Sequence, residues 1–296
     1  MIVKRVAFVS PTGWGNLGDA AIIESLIHGI RLRHPNAQIL GLTQRPYDTT
    51  NRHAVPAFTC SGLSLPKYKM DERTEAEAGD DEEPSAPSAG QARASQATNR
   101  GLKAIPGVRP AVRALRLARA EMRHRRLSAS RIKGFDRVVV AGGGQLDDFW
   151  GGPLGHPYTL LRWARIATKV GARYAVLSVG TGNLTPLSRL FVRRALALAD
   201  YTSFRDVRSR ELLRDPGLMR SAAVVPDLAY GLPLAHATEL AHAPRPTIGI
   251  SPMAYADPRV WPVRDLARYR RHIETLVTLT VRLVGAGHLA FIYFPA

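Results

Sequence analysis

Residues 6–21, Val-Ala-Phe-Val-Ser-Pro-Thr-Gly-Trp-Gly-Asn-Leu-Gly-Asp-Ala-Ala, decide how this chain is read. An apolar run, Val6-Ala7-Phe8-Val9, enters a glycine-rich turn. Beyond it Ile22, Ile23, Leu26, Ile27 and Ile30 recur at helical spacing. The spacing predicts a helix over residues 19–33, with Asp19 placed to act as its N-cap. His34-Pro35 ends it, because proline disfavours helix in the residue before it. Gln38 to Leu42 then reads as a second strand. Strand, glycine turn, helix and strand make a βαβ unit, which implies a parallel sheet with a right-handed crossover.

Gly13, Gly15 and Gly18 also spell G-x-G-x-x-G, the spelling of a dinucleotide-binding turn. Three features argue against that use. Ser10, Pro11 and Thr12 separate the strand from the first glycine. The second strand ends Leu42-Thr43-Gln44-Arg45, with no acid for a ribose hydroxyl until Asp48. Asp19 also puts a carboxylate at the helix N-terminus, where a pyrophosphate would need free N–H groups and the positive end of the dipole.

The same α/β rhythm continues downstream. Strands are expected at 137–141, 174–179, 201–204 and 222–225. Helices are expected near 158–169, 187–198 and 207–213. Glycine-rich loops are expected after two of the strands, at Gly142-Gly143-Gly144 and Gly180-Thr181-Gly182. Strand C-termini in a parallel sheet share one edge. Three such loops on that edge favour a ligand site over tight turns alone, since glycine admits close backbone approach.

Residues 1–232 are therefore expected to form a Rossmann-like domain. It is interrupted over about 66–105 by an acidic, then Pro-, Ser- and Ala-rich insertion with the composition of disorder. Arg109–Arg126 follows as a basic amphipathic helix. It is read either as a surface helix over the sheet or as a contact with an anionic membrane or a lipid-linked phosphate. Residues 233–246 read as a proline-bounded linker. Residues 247–296 read as the β-α-β opening of a second, partial α/β domain.

Composition narrows the function classes. The 296 residues carry a formal charge of +17. That excess fits nucleic acid, an anionic membrane surface or phosphorylated substrates, and equally a compositional habit, since every segment is basic. Zinc-finger spacing and RNA-recognition aromatics are missing, so no nucleic-acid partner is expected. A single cysteine, Cys60, forbids an internal disulfide and fits a reducing compartment. With no apolar run of the ~18 residues a membrane helix needs, a cytoplasmic protein is expected, its membrane contact limited to the inner face.

The pieces "GWGNLGDAAI", "VVVAGGGQLDD", "LSVGTGNL", "YTSFRDVRSRELL" and "VVPDLAY" occur in this order over about residues 5–230. Together they resemble the polysaccharide pyruvyl transferase family. The resemblance implies a two-domain, glycosyltransferase-B-like α/β protein. Its implied reaction moves an enolpyruvyl unit from phosphoenolpyruvate to a sugar or lipid-linked glycan of a cell-surface polysaccharide precursor and closes a pyruvate ketal. Neither a cofactor nor a metal is implied.

Asp19 and Arg205 are the catalytic candidates. Arg205 would bind an anion, and Asp19 would position or deprotonate a hydroxyl. Gly15, Asn16, Gly18, Gly143, Gly144, Gln145, Asp148 and Gly180 are the candidates for substrate binding. Structural alternatives stand beside several of them: helix capping for Asp19, Asp147 and Asp148, an ion pair with Asp206 for Arg205, and a turn for Asp227. His156 reads as a surface-loop residue and His28 as structural. Family members carry an Arg-Leu-His motif deep in the second domain, and this sequence has none. The chain is then either truncated or does not complete the reaction. A nucleotide-sugar glycosyltransferase and a non-catalytic glycan-binding domain are the alternative readings.

Overall fold

The computed structural model describes residues 3–10, 16–61, 108–213, 215, 217, 222–233, 247–258, 261 and 265–292. The expected insertion at 66–105, and all but the first residue of the expected linker, lie outside them. Contacts divide the chain into two units. One comprises Met1–Ser61 with Ser128–Ala296, and the other Gly62–Leu127.

In the first unit, β1 (Arg5–Ser10), α1 (Leu17–Arg33), β2 (Gln38–Thr43), α2 (Pro46–His53) and β3 (Ala57–Thr59) come first. The helix α3 (Val108–Arg131) runs from the second unit into the first. There follow β4 (Arg137–Leu146), α4 (His156–Val170), β5 (Arg173–Thr181), α5 (Pro186–Leu196), β6 (Tyr201–Phe204), α6 (Val207–Leu212) and β7 (Ala223–Val224). The seven strands form one parallel sheet in the order β3-β2-β1-β4-β5-β6-β7. This is a Rossmann-like order, reversing direction between β1 and β4. Separately, β8 (Thr247–Ile250) and β9 (Leu289–Ile292) pair in parallel, with α7 (Leu266–Gly285) between them in sequence.

Alternation along β1 builds the two faces. Val6 and Phe8 pack with Ile22, Ile23, Leu26 and Ile27 of α1 on one side. Ala7 and Val9 face the other, where Leu160, Leu161, Trp163 and Ala164 of α4 and Val192, Ala195 and Leu196 of α5 cover the sheet. Each large apolar side chain so buried contributes roughly 1.5–3 kcal/mol. The apolar helical spacing seen in the sequence is thus the sheet-facing side of α1. Gly171, with φ +78°, closes α4 in the left-handed conformation that lets its N–H reach the last carbonyls.

Three expectations change. Gly142–Gly144 and Gly180 are not loops after their strands; they lie inside β4 and β5. Positive φ at Gly142 and Gly143 and a register shift before Leu146 let β4 bulge and continue pairing. Second, α1 starts at Leu17 with Asn16 as its N-cap, so Asp19 is not the cap. Third, α2 and β3 were not expected, because α2 buries only Thr49 and His53 and shows no apolar period. The edge strand β3 is nevertheless pinned. The Cys60 carbonyl just after it accepts from Trp163 Nε1 at 2.9 Å and from buried Arg162. Burial pushes the Cys60 thiol up to about 12.

Among the described residues no helix is long and apolar enough to cross a membrane.

Candidate functional site

The C-terminal ends of β1, β4, β5, β6 and β7 meet one edge of the sheet, and eight of the sequence candidates gather there: Asn16, Gly18, Asp19, Gly143, Gly144, Gln145, Gly180 and Arg205. Asn16 Oδ1 accepts from the Gly18 N–H at 2.9 Å. A Cβ on Gly18 would stand 3.2 Å from that oxygen, so a bare residue suits the position. Relieved of capping, Asp19 sits three residues into the first turn and accepts from the Asn16 side chain. Its carboxyl is raised to about 6, first by burial and then by the charge of Asp227, with the Asn16 bond opposing both.

Beneath α1, the bulge of β4 supplies the floor. The point where a Cβ on Gly143 would stand is 3.7 Å from Asp19 Oδ1 and 3.8 Å from Gln145 Nε2. Gln145 is 1% exposed, and its Oε1 has no hydrogen-bond partner among the described residues. Among the described residues nothing lies within 4 Å of where a Cβ on Gly144 would stand.

Arg205 follows β6. Its Nη1 is 3.6 Å from Asp227 Oδ2 and its Nε is 3.5 Å from Asp206 Oδ2. The expected ion pair with Asp206 is present, and a second one, with Asp227, joins it. The guanidinium lies on Gly180, where a Cβ would come within 2.4 Å of Nε. Gly180 therefore serves the site by having no side chain. Asp206 also caps α6, accepting from the N–H and hydroxyl of Ser209 at 2.6 and 2.9 Å. The Ser209 N–H is the main reason its carboxyl lies below the usual range.

Asp227 was read as a turn residue, and it is one: Oδ1 accepts from the Ala229 N–H at 3.0 Å at the start of a 3-10 turn, Leu228–Gly231. It also couples Asp19 to Arg205, which sequence reasoning missed. Two anchors place it. Ser25 of α1 donates its hydroxyl to the Leu228 carbonyl. Ser178 of β5, fully buried with φ +48°, donates to the Pro226 and Val225 carbonyls at 2.8 and 3.2 Å. Its N–H donates to Ser203 Oγ at 2.9 Å. A left-handed serine within a strand costs of order 1–3 kcal/mol and persists only where its surroundings hold it. Sequence carries one trace of this, a serine interrupting the apolar run Ala175–Val179.

Other candidates do different work. Asp148 Oδ2 accepts from the Thr185 N–H and hydroxyl, both at 2.8 Å, and from Ser188 Oγ at 2.6 Å, tying the segment after β4 to the start of α5. Burial opposes its charge, but these donors outweigh burial and hold the carboxyl below the usual range. Asp147 lies against Gly182 and accepts from the Phe149 N–H at 2.5 Å; burial lifts its carboxyl above the usual range. His156 is buried at the start of α4, not on a surface loop. His28 lies partly exposed within α1. Gly15 lies outside the described residues. Phe149 and Trp150 pack edge-on against Trp261, at centroid distances of 5.4 and 5.6 Å, joining this segment to the one that precedes α7. Among the described residues no group of three or more His, Cys, Asp or Glu side chains is placed to hold a metal.

Residues 16–293 match the family model described as polysaccharide pyruvyl transferase. Solved structures of Anabaena Alr3699/HepE are similar in part. The complex with UDP-glucose matches with 10% identity and a TM-score of 0.40, over 75% of this chain and 43% of that one. The complex with UDP matches with 11% identity and a TM-score of 0.49, over 99% of this chain and 70% of that one. In the first of these matches the chain spans less than half the length of its neighbour. No curated protein matches the chain.

Proposed function

We propose a function from one premise: the chain belongs to the polysaccharide pyruvyl transferase family. The reaction is pyruvyl transfer from phosphoenolpyruvate to a sugar of a polysaccharide precursor. A proton adds to C3 of the enol, leaving a cation at C2. A sugar hydroxyl attacks C2 and gives up its proton, forming a C–O bond. The C2–O bond to phosphate breaks, phosphate departs, and a second hydroxyl of the sugar closes the ketal with loss of its own proton. Atoms and charge balance with no cofactor.

The observation that carries this reading is the pairing of a proton-accepting group with an anion-binding group at one sheet edge. Asp19, raised to about 6 by burial and by Asp227, changes protonation close to neutral pH. It is assigned the proton of the attacking hydroxyl. Arg205, half-exposed and held by Asp227 and Asp206, is assigned the carboxylate or phosphate of the donor. Gly143 and Gly144 let a ligand approach the β4 backbone, and Gln145 and Asn16 border the same space. Asp148 is assigned to building the wall, through Thr185 and Ser188. The sugar acceptor and the cytoplasmic setting belong to this proposal as well.

The test is incubation of the protein with phosphoenolpyruvate and a panel of cell-wall sugar acceptors. Phosphate release matched by acid-labile, sugar-bound pyruvate is expected. Thermal stabilisation by UDP- or GDP-sugars, with no phosphate released from phosphoenolpyruvate for any acceptor, would replace this reading with glycosyl transfer.

A further inference from the structure

The helix α3 carries an arrangement that pyruvyl transfer does not use. Arg116, Arg119, Arg123 and Arg126 follow one another at spacings of three, four and three residues, and all four are exposed. At 3.6 residues per turn this puts them in one stripe along the helix. Val112, Leu115, Met122 and Leu127 fall within or beside that stripe, and each is between 41% and 51% exposed. From Glu121 onward the covered positions lie on the other side: His124 and Ser128 are buried, and Glu121 and Arg125 are half-buried, whereas Leu117, on that side in an earlier turn, is 48% exposed. Glu121 is the helix's one carboxylate, and it lies off the stripe. Ser128 and the following Ile132 are buried, and Arg131 lies 4.1 Å over the Phe58 ring, so the end of the helix is fixed to the first unit.

We propose that the outward face of α3 docks this protein on an anionic membrane surface. Guanidinium groups bind phosphate headgroups through paired N–H donors, and their aliphatic stems tolerate the interfacial region. A juxtaposed row of basic residues is drawn to an anionic leaflet within a Debye length. The flanking Val, Leu and Met side chains distinguish this face from one built for nucleic acid. They gain nothing from a phosphodiester backbone but bury themselves shallowly among acyl chains when the helix lies flat. The proposal is independent of the reaction at the sheet edge.

Flotation with lipid vesicles tests it on the whole protein. Vesicles of neutral phosphatidylcholine are compared with vesicles containing a third phosphatidylglycerol, at low and high salt. The helix variant carries Arg116→Gln, Arg119→Gln, Arg123→Gln and Arg126→Gln. The control variant removes the same charge elsewhere on the exposed surface, with Arg31→Gln, Arg173→Gln, Arg194→Gln and Arg270→Gln. Circular dichroism and thermal melts check that both fold. Wild type and control are expected to float with anionic vesicles and not with neutral ones. Partitioning of the helix variant is expected to fall at least about tenfold, and wild-type binding to weaken as salt rises. Equal losses in both variants would reduce the effect to net charge and overturn the assignment. So would equal binding to neutral vesicles, or displacement of the protein from anionic vesicles by a random oligonucleotide at comparable phosphate concentration.

Discussion

Asp19, the base of the proposed reaction, would face opposite demands from stability and chemistry. Its carboxyl, raised from 3.8 to about 6, holds its proton more tightly in the folded chain than in the unfolded one. Stability is therefore full below pH ~4 and falls as pH rises through about 6, by up to about 3 kcal/mol. Asp19→Asn removes that loss. Chemical denaturation should find the variant more stable than wild type at pH 7 and no different near pH 4. Activity should move the other way: under the proposed function Asp19 acts as a base in its ionised form, so the wild-type rate should climb with pH through about 6. The variant should lose about 10²–10⁴ in kcat together with that limb of the profile. Gly180→Ala separates site from scaffold in a different manner. The added Cβ would meet the guanidinium of Arg205, the far end of a flexible side chain, which can swing aside. Denaturation should shift by less than about 1 kcal/mol, while the KM for phosphoenolpyruvate rises about tenfold or more.

At the scale of elements, the site depends on strands that depart from regular geometry. The β4 bulge is built from glycines whose positive φ is visible as a Gly-Gly-Gly spelling. The β5 irregularity rests on Ser178, which looks like any strand residue until its φ of +48° is known. Two variants distinguish its backbone from its hydroxyl. Ser178→Ala keeps the strain and loses the bonds to Val225 and Pro226, costing roughly 1–3 kcal/mol. Ser178→Gly loses the same bonds but relieves the strain. Urea titration should therefore find the glycine variant the more stable of the two, the reverse of the usual order inside a strand. Both should lower kcat, because the turn that aims Asp227 at Arg205 has lost its tie. The α1 start carries the companion lesson. Asp19 next to Gly18 suggests a cap, yet Asn16 takes that place because its carboxamide oxygen reaches the Gly18 N–H, while its amide donates to the Asp19 carboxylate.

For the molecule as a whole, a ligand that binds only the folded state stabilises it in proportion to its saturation. Phosphoenolpyruvate at ~100 times its Kd should add about 2.7 kcal/mol, read as a raised Tm. Arg205→Ala should abolish that rise while the ligand-free Tm changes little. A rise that survived the substitution would place the anion elsewhere. The sequence alone determined the parallel Rossmann-like sheet, its sheet-facing helix sides and the gathering of the glycine-rich strand ends at one sheet edge. Those follow from periodicity and from glycine, which act over a few neighbouring residues. It did not reach the polar helix α2, whose burial rests on two residues, nor the partners of the charged groups. Asp19 and Arg205 lie 186 residues apart and Arg205 and Asp227 lie 22 apart, and only the placing of β1, β6 and β7 in one sheet brings them together. The raised carboxyl, the double hold on Arg205 and the strained serine behind it arise from burial and through-space charge. These are properties of the packed molecule, and no local stretch of the chain contains them.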